Sequence, residues 1–265
     1  MKSPIITILA LSGAAFSLAQ AETVLFSDNF DTSANSWDVN FEYDSGTRQS
    51  GTLGNSQYYV ADEPGYWAQV DHDSYLDALS IHGNGPTYDT SVTPYTTFDY
   101  DLAAGESLSM SIDLNPYDDA SSWAAMSIGN TGGAEAISTG FGVLVRSDAT
   151  YEIWSSGSSV ASGTATSFTD YGTLEILVSG VSGAAYTWDG SDADVEVIFE
   201  GSSIYAATIT GGYTQNFLTL LSYNAGGANG FDNLTVSVVP EPSTYAMLAG
   251  CFGLAFVILK RRRQA

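Results

Sequence analysis

The feature that most constrains the fold of this 265-residue chain is a recurring two-residue alternation of apolar and polar side chains. It is clearest between residues 107 and 114, where Leu108, Met110, Ile112 and Leu114 alternate with polar residues. Because successive side chains of a β-strand point to opposite faces, this pattern predicts a strand with one buried face. The same period recurs at four further places: Phe141, Val143 and Val145; Leu174, Ile176 and Val178; Val195, Val197 and Phe199; Leu234, Val236 and Val238.

The rest of the sequence between residues 22 and 239 favours the same secondary structure. It shows no convincing helical periodicity, and short apolar stretches are separated by Gly, Ser, Asn and Asp. Residues 151–154, followed by Ser-Ser-Gly-Ser, are typical of a strand that runs into a turn. We therefore predict an all-β fold, a two-sheet antiparallel β-sandwich of the jelly-roll type. The first and last strands, near residues 24–31 and 230–236, are expected to pair or to lie side by side.

The N-terminus has the features of a secretory signal peptide. Lys2 provides a weakly basic start, residues 5–16 are mostly apolar, and Ala19 and Ala21 form a small-x-small signal peptidase site. We expect residues 1–21 to be removed by signal peptidase, so that the mature protein begins at Glu22. Residues 22–239 then form the exported domain, which is long enough for one sizeable core.

The C-terminus combines three elements in a fixed order. Pro240, Glu241 and Pro242 precede an apolar run over residues 245–259, which would span about 22 Å as a helix, less than the roughly 20 residues of a comfortable membrane span. The positive-inside rule places the following cations in the cytoplasm and the Pro-Glu-Pro triplet outside the membrane. The sequence predicts one short C-terminal transmembrane helix that acts as a transient anchor. The basic cluster that ends it consists of Lys260, Arg261, Arg262 and Arg263.

This order of parts over residues 240–265 resembles the PEP-CTERM sorting signal of Gram-negative, exopolysaccharide-making bacteria. The resemblance implies processing by an exosortase, a membrane-embedded transpeptidase-like enzyme that cuts near the triplet and releases or transfers the exported domain. It implies a protein anchored in the membrane before processing and found at the cell surface or in the extracellular matrix afterwards. The alternative is an ordinary single-pass anchor with an accidental triplet, which predicts the same topology but a different mature product.

The exported domain is strongly acidic. It contains 29 of the 30 acidic residues but only two basic residues, Arg48 and Arg146, which gives a formal charge of −27. Such a surface repels nucleic acid and anionic lipid, attracts divalent cations and favours solubility. We therefore expect no nucleic-acid partner.

Cysteine and histidine usage excludes two ways of stabilising the domain. The single cysteine, Cys251, lies in the apolar C-terminal run, so the exported domain has no disulfide. With His72 and His82 as its only histidines, a structural zinc site of the usual kind is not expected.

Four stretches together resemble the concanavalin A-like lectin/glucanase jelly roll of the laminin-G-like kind: residues 24–31, 141–146, 151–154 and 230–236. The resemblance implies the fold more than an activity, since one fold supports many functions. Glucanases of this kind carry a Glu-x-Asp-x-x-Glu strand motif whose carboxylates supply the nucleophile and the general acid.

No catalytic residue is assigned. The stretch nearest to the glucanase motif has a different spacing, and we interpret it as a solvated sheet face; it contains Asp192, Asp194, Glu196 and Glu200. Asp71, His72 and Asp73, together with His82, could suggest acid–base chemistry, but no nucleophile motif accompanies them, and we interpret them as a polar loop.

Carbohydrate binding is the better functional hypothesis, because aromatic rings stack on sugars. The candidate residues are Tyr58, Tyr59, Tyr66 and Trp67, although aromatic side chains in a β-sandwich are more often part of the core. The other tryptophans, Trp37, Trp123, Trp154 and Trp188, cannot be sorted into buried and exposed from the sequence.

A structural calcium ion is a candidate cofactor. Calcium prefers six to eight oxygen ligands, and adjacent first and last strands could bring Asp28 or Asp31 close to Asp232. The alternative is that all three are solvated residues at strand ends.

Two function classes follow from the sequence. The favoured one is an exported, non-enzymatic surface or matrix protein that binds exopolysaccharide. The alternative is a secreted, glucanase-like enzyme on the same fold, which an assay for reducing-sugar release would distinguish.

Overall fold

The computed structural model describes most of the exported domain. The described residues are 22–30, 59–62, 69–73, 78–82, 92–97, 106–117, 121–129, 136–180, 192–210, 217–223 and 228–240. Glu22–Pro240 forms one compact unit. The predicted signal peptide and the sorting signal beyond Pro240 lie outside the described residues. Within the described ranges, no helix has the length and apolar character needed to cross a membrane.

The described part of the chain consists almost entirely of β-strands. In chain order they are β1 (Thr23–Asp28), β2 (Tyr59–Asp62), β3 (Gln69–Asp73), β4 (Ala78–His82), β5 (Val92–Thr97), β6 (Glu106–Asn115), β7 (Trp123–Gly129), β8 (Phe141–Arg146), β9 (Thr150–Ser155), β10 (Ser158–Thr164), β11 (Gly172–Gly180), β12 (Ala193–Phe199), β13 (Ser202–Ile209), β14 (Phe217–Tyr223) and β15 (Ala228–Pro240). A single helical turn, α1 (Ala136–Thr139), lies between β7 and β8. It is too short to give a periodic signal in the sequence.

The strands form two antiparallel sheets. The first sheet has eight strands in the order β13, β12, β11, β6, β15, β4 and β3, with β1 also paired to β15. The second sheet has seven strands in the order β10, β9, β8, β7, β14, β5 and β2. This arrangement confirms the predicted two-sheet antiparallel sandwich of the jelly-roll type. The predicted pairing of the first and last strands is also confirmed, since Thr23 lies opposite Val238 and Asp28 opposite Leu234.

The core lies between the two sheets, and the alternating sequence pattern specifies it. All five predicted strand patterns are found as strands, and their apolar side chains are buried. From the first sheet these include Met110, Ile112 and Ile176, and from the second sheet Val143 and Val145. Removing apolar surface from water contributes roughly 25 cal/mol per Å², so the two inner faces hold the sheets together.

Two hairpins close with tight two-residue turns. Ser156 and Gly157, between β9 and β10, have φ angles of 47° and 81°. Glu200 and Gly201, between β12 and β13, have φ angles of 48° and 69°. Two successive positive φ angles are the signature of the type I′ turn, whose twist matches that of paired strands. The strand predicted to run into a turn at residues 151–158 is therefore confirmed.

A buried asparagine joins the two sheets at one end of the core. Asn229 of β15, in the first sheet, is fully buried and uses its whole side-chain amide. The backbone N–H of Tyr117 donates to Asn229 Oδ1 at 2.6 Å. Asn229 Nδ2 donates to three oxygens of the second sheet: Trp123 O at 2.9 Å, Ser222 Oγ at 2.6 Å and Tyr223 O at 3.2 Å. The cross-sheet contact is thus made by hydrogen bonds as well as by apolar packing.

Candidate functional site

The outer face of the second sheet carries Trp123 and Trp154, two of the four tryptophans that the sequence did not sort; Trp37 and Trp188 lie outside the described residues. In β7, Met126 and Ile128 pack in the core between the sheets. Because side chains alternate along a strand, Trp123, Ala125 and Ser127 lie on the opposite face. We call this opposite face, formed by β7 and its neighbouring strands, the outer face of the second sheet.

Two stacked aromatic rings stand at one end of this outer face. Trp123 lies directly opposite Tyr223 of β14, and their rings are nearly parallel, with centroids 5.9 Å apart and an interplanar angle of 18°. On the other side, Trp123 lies opposite Arg146 of β8. Arg146 forms a salt bridge with Glu152, with 2.8 Å between Arg146 Nη2 and Glu152 Oε1. We call these four residues, Trp123, Tyr223, Arg146 and Glu152, the aromatic platform.

The turn between β8 and β9 fixes the charged half of the platform. Asp148 Oδ1 accepts hydrogen bonds from Thr150 Oγ1 at 2.6 Å and from Thr150 N at 2.9 Å. The Thr150 hydroxyl, followed by the Thr150 N–H, lowers the pKa of the Asp148 carboxyl below its usual range. The ionised carboxylate therefore holds the turn that places Arg146 and Glu152 on adjacent strands.

A small apolar cluster lies beside the platform on the same face. Ala125, Leu144 and Leu221, from three adjacent strands, are buried although they point away from the main core. Trp123, Trp154 and Ile137 of α1 pack against them. The outer face therefore offers apolar ring surfaces next to a salt bridge, which is the mixture that small-molecule sites commonly present.

The next cross-strand row on this face consists of two hydroxyl residues, a glycine and a tryptophan. It runs from Thr219 of β14 to Ser127 of β7, then to Gly142 of β8 and Trp154 of β9. We call these four residues the polar row. Because directly opposite residues in an antiparallel sheet point to the same side, the row lies on the outer face, one step along from the apolar cluster.

The aromatic residues predicted from the sequence are placed only in part. Tyr58, Tyr66 and Trp67 lie outside the described residues. Tyr59 begins the edge strand β2, opposite Tyr95 of β5. Tyr95 in turn lies opposite Thr219. Tyr59 and Tyr95 therefore occupy the same cross-strand register as the polar row.

Sequence reasoning missed the aromatic platform, although part of its signal was present. The alternation Trp-Ala-Ala-Met-Ser-Ile over residues 123–128 assigns Trp123 to the face opposite Met126. It does not reveal that Tyr223, a hundred residues later in the chain, pairs with Trp123.

The acidic stretch around β12 lies on the other sheet. Of the four acidic residues interpreted as a solvated sheet face, Asp192, Asp194 and Glu200 are exposed and Glu196 is half-buried. Asp194 Oδ1 accepts a hydrogen bond from Thr208 Oγ1 at 2.6 Å, and Glu200 Oε1 accepts one from Thr173 N at 2.7 Å. Both carboxylates thus accept hydrogen bonds from residues of neighbouring strands of the same sheet.

One interpretation from the sequence is wrong. Asp71, His72 and Asp73 belong to strand β3 and not to a polar loop, because pairing with β4 imposes the extended conformation on them. His82 ends β4 and lies opposite Gln69.

The residues predicted to bind calcium occupy different environments. Asp28 is buried, lies opposite the core residue Leu234, and accepts a hydrogen bond from Phe30 N at 2.7 Å. Asp232 lies opposite Asp113 and accepts a hydrogen bond from Asn233 N at 2.7 Å. Asp31 lies outside the described residues. No group of three or more His, Cys, Asp or Glu side chains in the described ranges could hold a metal ion, and the calcium site stays a prediction.

Thermal unfolding of residues 22–239 tests that prediction. If calcium binds the folded state, calcium at about 100 times its Kd raises the free energy of unfolding by about 2.7 kcal/mol, and a chelator reverses the effect. Ionic strength is held constant, so that general screening of the negative charge does not contribute. Asp232→Ala should abolish the calcium response and Asp194→Ala should retain it. A midpoint that calcium leaves unchanged, or an equal response in Asp232→Ala, removes this site.

Comparisons with known proteins find similarity only among solved structures. No protein-family model matches the chain, and no curated protein matches its sequence. A carbohydrate-binding module, CBM66, from Bacillus subtilis is 12% identical, with a TM-score of 0.42 over 70% of this chain and 98% of the module. A Bacillus subtilis protein of unknown function with a galectin-like fold is 9% identical, with a TM-score of 0.46 over 69% of this chain and 90% of the other.

A third similar structure is an enzyme. The β-glucanase of Bacillus licheniformis is 10% identical to this chain, with a TM-score of 0.43 over 82% of this chain and 99% of the enzyme. At these identities and TM-scores the similarities are loose, and the fold assigned above rests on the strand pairing of the chain itself.

Proposed function

We propose that the chain is an exported, non-enzymatic protein of the cell surface or extracellular matrix, whose sandwich domain binds a neutral polysaccharide through the aromatic platform. The observation that carries the binding part is the stacked pair Trp123 and Tyr223 beside the Arg146–Glu152 salt bridge. These four side chains come from four adjacent strands of one sheet, so a rigid scaffold fixes their positions.

The chemistry of the platform suits a sugar. The flat faces of Trp and Tyr pack against the C–H groups of a pyranose ring, as aromatic rings pack against other apolar surfaces. Arg146 supplies N–H donors and Glu152 supplies acceptor oxygens for ring hydroxyls. Both charged side chains are partly exposed, at 22% and 31%, so a ligand can reach them.

The charge of the domain favours a neutral polymer over an acidic one. At a formal charge of −27, the exported domain repels polyanions over distances of about one Debye length, roughly 8 Å at physiological ionic strength. Arg146 does not offset this repulsion, because Glu152 already neutralises it. We therefore expect neutral glycans to bind and uronate polymers to be excluded.

The export part of the proposal is supported by the two ends of the sequence. Residues 1–21 contain the parts of a signal peptide in their usual order. Residues 240–265 contain the parts of a PEP-CTERM signal in their usual order. Signal peptidase and an exosortase are the partners that this order implies. The absence of cysteine from residues 22–239 also suits an exterior where thiols oxidise.

A binding assay with matched variants tests the proposed platform. Residues 22–239 are run through native gels that contain dextran, mannan, galactan, mixed-linkage β-glucan or alginate. We expect at least one neutral polymer to retard the domain and alginate not to do so. Trp123→Ala should weaken binding about tenfold or more, a loss of about 1.4 kcal/mol or more, since it removes one ring and exposes its stacked partner.

The control is Tyr117→Ala, which removes an exposed aromatic ring whose backbone N–H, and not its side chain, bonds to Asn229. It should bind like the native domain. Equal binding by Trp123→Ala, or no binding to any neutral polymer, contradicts the proposed platform. Release of reducing sugar from a bound polymer favours the glucanase-like alternative instead.

A further inference from the structure

The polar row contains buried polar atoms that lack hydrogen bonds. Ser127 and Thr219 are fully buried. Ser127 Oγ, Thr219 Oγ1 and Trp154 Nε1 have no hydrogen-bond partner among the described residues. Buried polar groups in folded proteins are almost always paired, because leaving one unpaired costs free energy. Three such atoms in a single cross-strand row mark a place where a ligand with its own hydrogen-bonding groups would be stabilised.

The groups in the row define the chemistry of that ligand. Two hydroxyls can donate and accept, and the indole N–H can donate. None of the four residues in the row is charged. Neighbouring strands lie about 4.8 Å apart, so the polar atoms are spaced along a line across the sheet. An uncharged molecule with several hydroxyls along its length, such as a neutral pyranose chain, matches this arrangement.

In this structure the middle of the row is covered by α1. Gly142 has no side chain, and Ile137 occupies the space above it. A Cβ added to Gly142 would lie 2.7 Å from Ile137 Cγ1 and 3.1 Å from Ser127 Cβ. Ile137 also packs against the apolar cluster of Ala125, Leu144 and Leu221. The α1 turn lies against β7, β8 and β9, the three strands that supply Ser127, Gly142 and Trp154.

Gly140, the residue that follows α1, is held against the sheet by two contacts. α1 itself has only four residues. Gly140 O accepts a hydrogen bond from Ser156 N at 2.9 Å. Gly140 also passes so close to β7 that a Cβ on Gly129 would lie 2.7 Å from Gly140 Cα. Four residues of helix are too few to be stable without packing, so α1 depends on its contacts with the sheet, to which Ile137 contributes.

We propose that the polar row is a second sugar-ring subsite and that Ile137 closes it until a bound glycan displaces α1. This inference rests on the proposed function, since the glycan would first bind at the aromatic platform and then extend over the apolar cluster to the row. In the open state, Ser127 Oγ donates or accepts and Trp154 Nε1 donates hydrogen bonds to the hydroxyls of the next ring, since these two residues lie on strands that α1 contacts. Because only open molecules bind a ring at this subsite, the apparent affinity is the intrinsic affinity multiplied by the fraction of molecules that are open.

The test compares variants of the full chain in detergent, titrated with soluble dextran, mannan, galactan and mixed-linkage β-glucan. Ile137→Ala should bind the polymer that the native chain binds about tenfold more tightly, because it removes the side chain that fills the space over Gly142. Adding Ser127→Ala to Ile137→Ala should remove most of that gain. Val160→Ala, which shortens an exposed apolar side chain on β10, is the matched control and should change nothing.

A ligand-free measurement supports the same test. Ile137→Ala should increase acrylamide quenching of Trp154, measured as the difference between forms with and without Trp154→Phe. If Ile137→Ala does not fold, Ile137→Val serves in its place and should give a smaller gain in affinity.

The outcomes separate this inference from the proposed function. Native affinity in Ile137→Ala, with Trp123→Ala still defective, overturns the closed subsite and leaves the platform intact. Increased quenching without increased affinity shows that Ile137 shields Trp154 but closes no sugar subsite, and this also overturns the inference. A failure of all forms, the native chain included, to bind any of the four polymers rejects the proposed function and the subsite together.

Discussion

Replacing Asn229 with alanine is expected to lower the free energy of unfolding by about 3–5 kcal/mol. The substitution leaves the Tyr117 N–H and the Trp123 carbonyl without the amide that now bonds to them. Each buried polar group left unpaired costs about 1–3 kcal/mol, and the small cavity adds to this. Since whole domains are stable by only about 5–15 kcal/mol, the loss would move the domain close to unfolding at 25 °C.

Urea denaturation and thermal unfolding of residues 22–239, both monitored by far-ultraviolet circular dichroism, measure the effect. The thermal midpoint should fall by about 10 °C, given about 2–4 °C per kcal/mol in a domain of this size. Ser159→Ala is the control, because it changes an exposed residue of the edge strand β10 and should cost less than about 0.5 kcal/mol. A loss below about 1 kcal/mol in Asn229→Ala would show that the amide does not join the sheets in the way described.

Changing Pro240, Glu241 and Pro242 to alanine is expected to leave the protein in the inner membrane. The triplet precedes a short apolar run and a basic cluster, the order that an exosortase is expected to read. The apolar run and the cations stay intact in this variant, so membrane insertion is unaffected while cutting near the triplet is lost. We expect nearly all of the variant in the membrane fraction, in a host that releases or transfers the native protein.

Cell fractionation and mass spectrometry of the mature C-terminus provide the measurement. The matched control changes Ser243 and Thr244 to alanine and keeps the triplet, and it should mature normally. If the triple-alanine variant matures and localises like the native protein, the tail is an ordinary anchor and the sorting hypothesis is wrong.

The sequence predicted the fold because the fold depends on a local periodicity. An alternation such as Leu108, Met110 and Ile112 is visible in one short segment, and burial of one face is enough to specify a strand. The Ser156-Gly157 turn was visible for the same reason, since Gly permits the positive φ that the turn requires. β3 was missed because Asp71-His72-Asp73 has no apolar alternation, and only its pairing with β4 makes it a strand.

The candidate site could not be predicted in the same way, because it depends on which strands are neighbours. Trp123 and Tyr223 belong to strands that are distant in sequence and adjacent in the sheet. In the sequence, Gly142 is a small residue between Phe141 and Val143, and only the position of Ile137 shows what fills the space above it. Register and loop placement are tertiary properties, so periodicity alone does not specify them.

The position of β15 has a mechanical consequence for the sorting hypothesis, in which the protein is attached through its C-terminus before processing. The strand runs through the interior of the first sheet and ends at Pro240, the first residue of the triplet, where it still pairs with Glu106 of β6. Its residues from Thr235 to Val238 are hydrogen-bonded to β6 on one side and to β1 on the other. A force applied to Pro240 along the strand therefore acts in shear on all of these hydrogen bonds at once. It does not break them one at a time from one end.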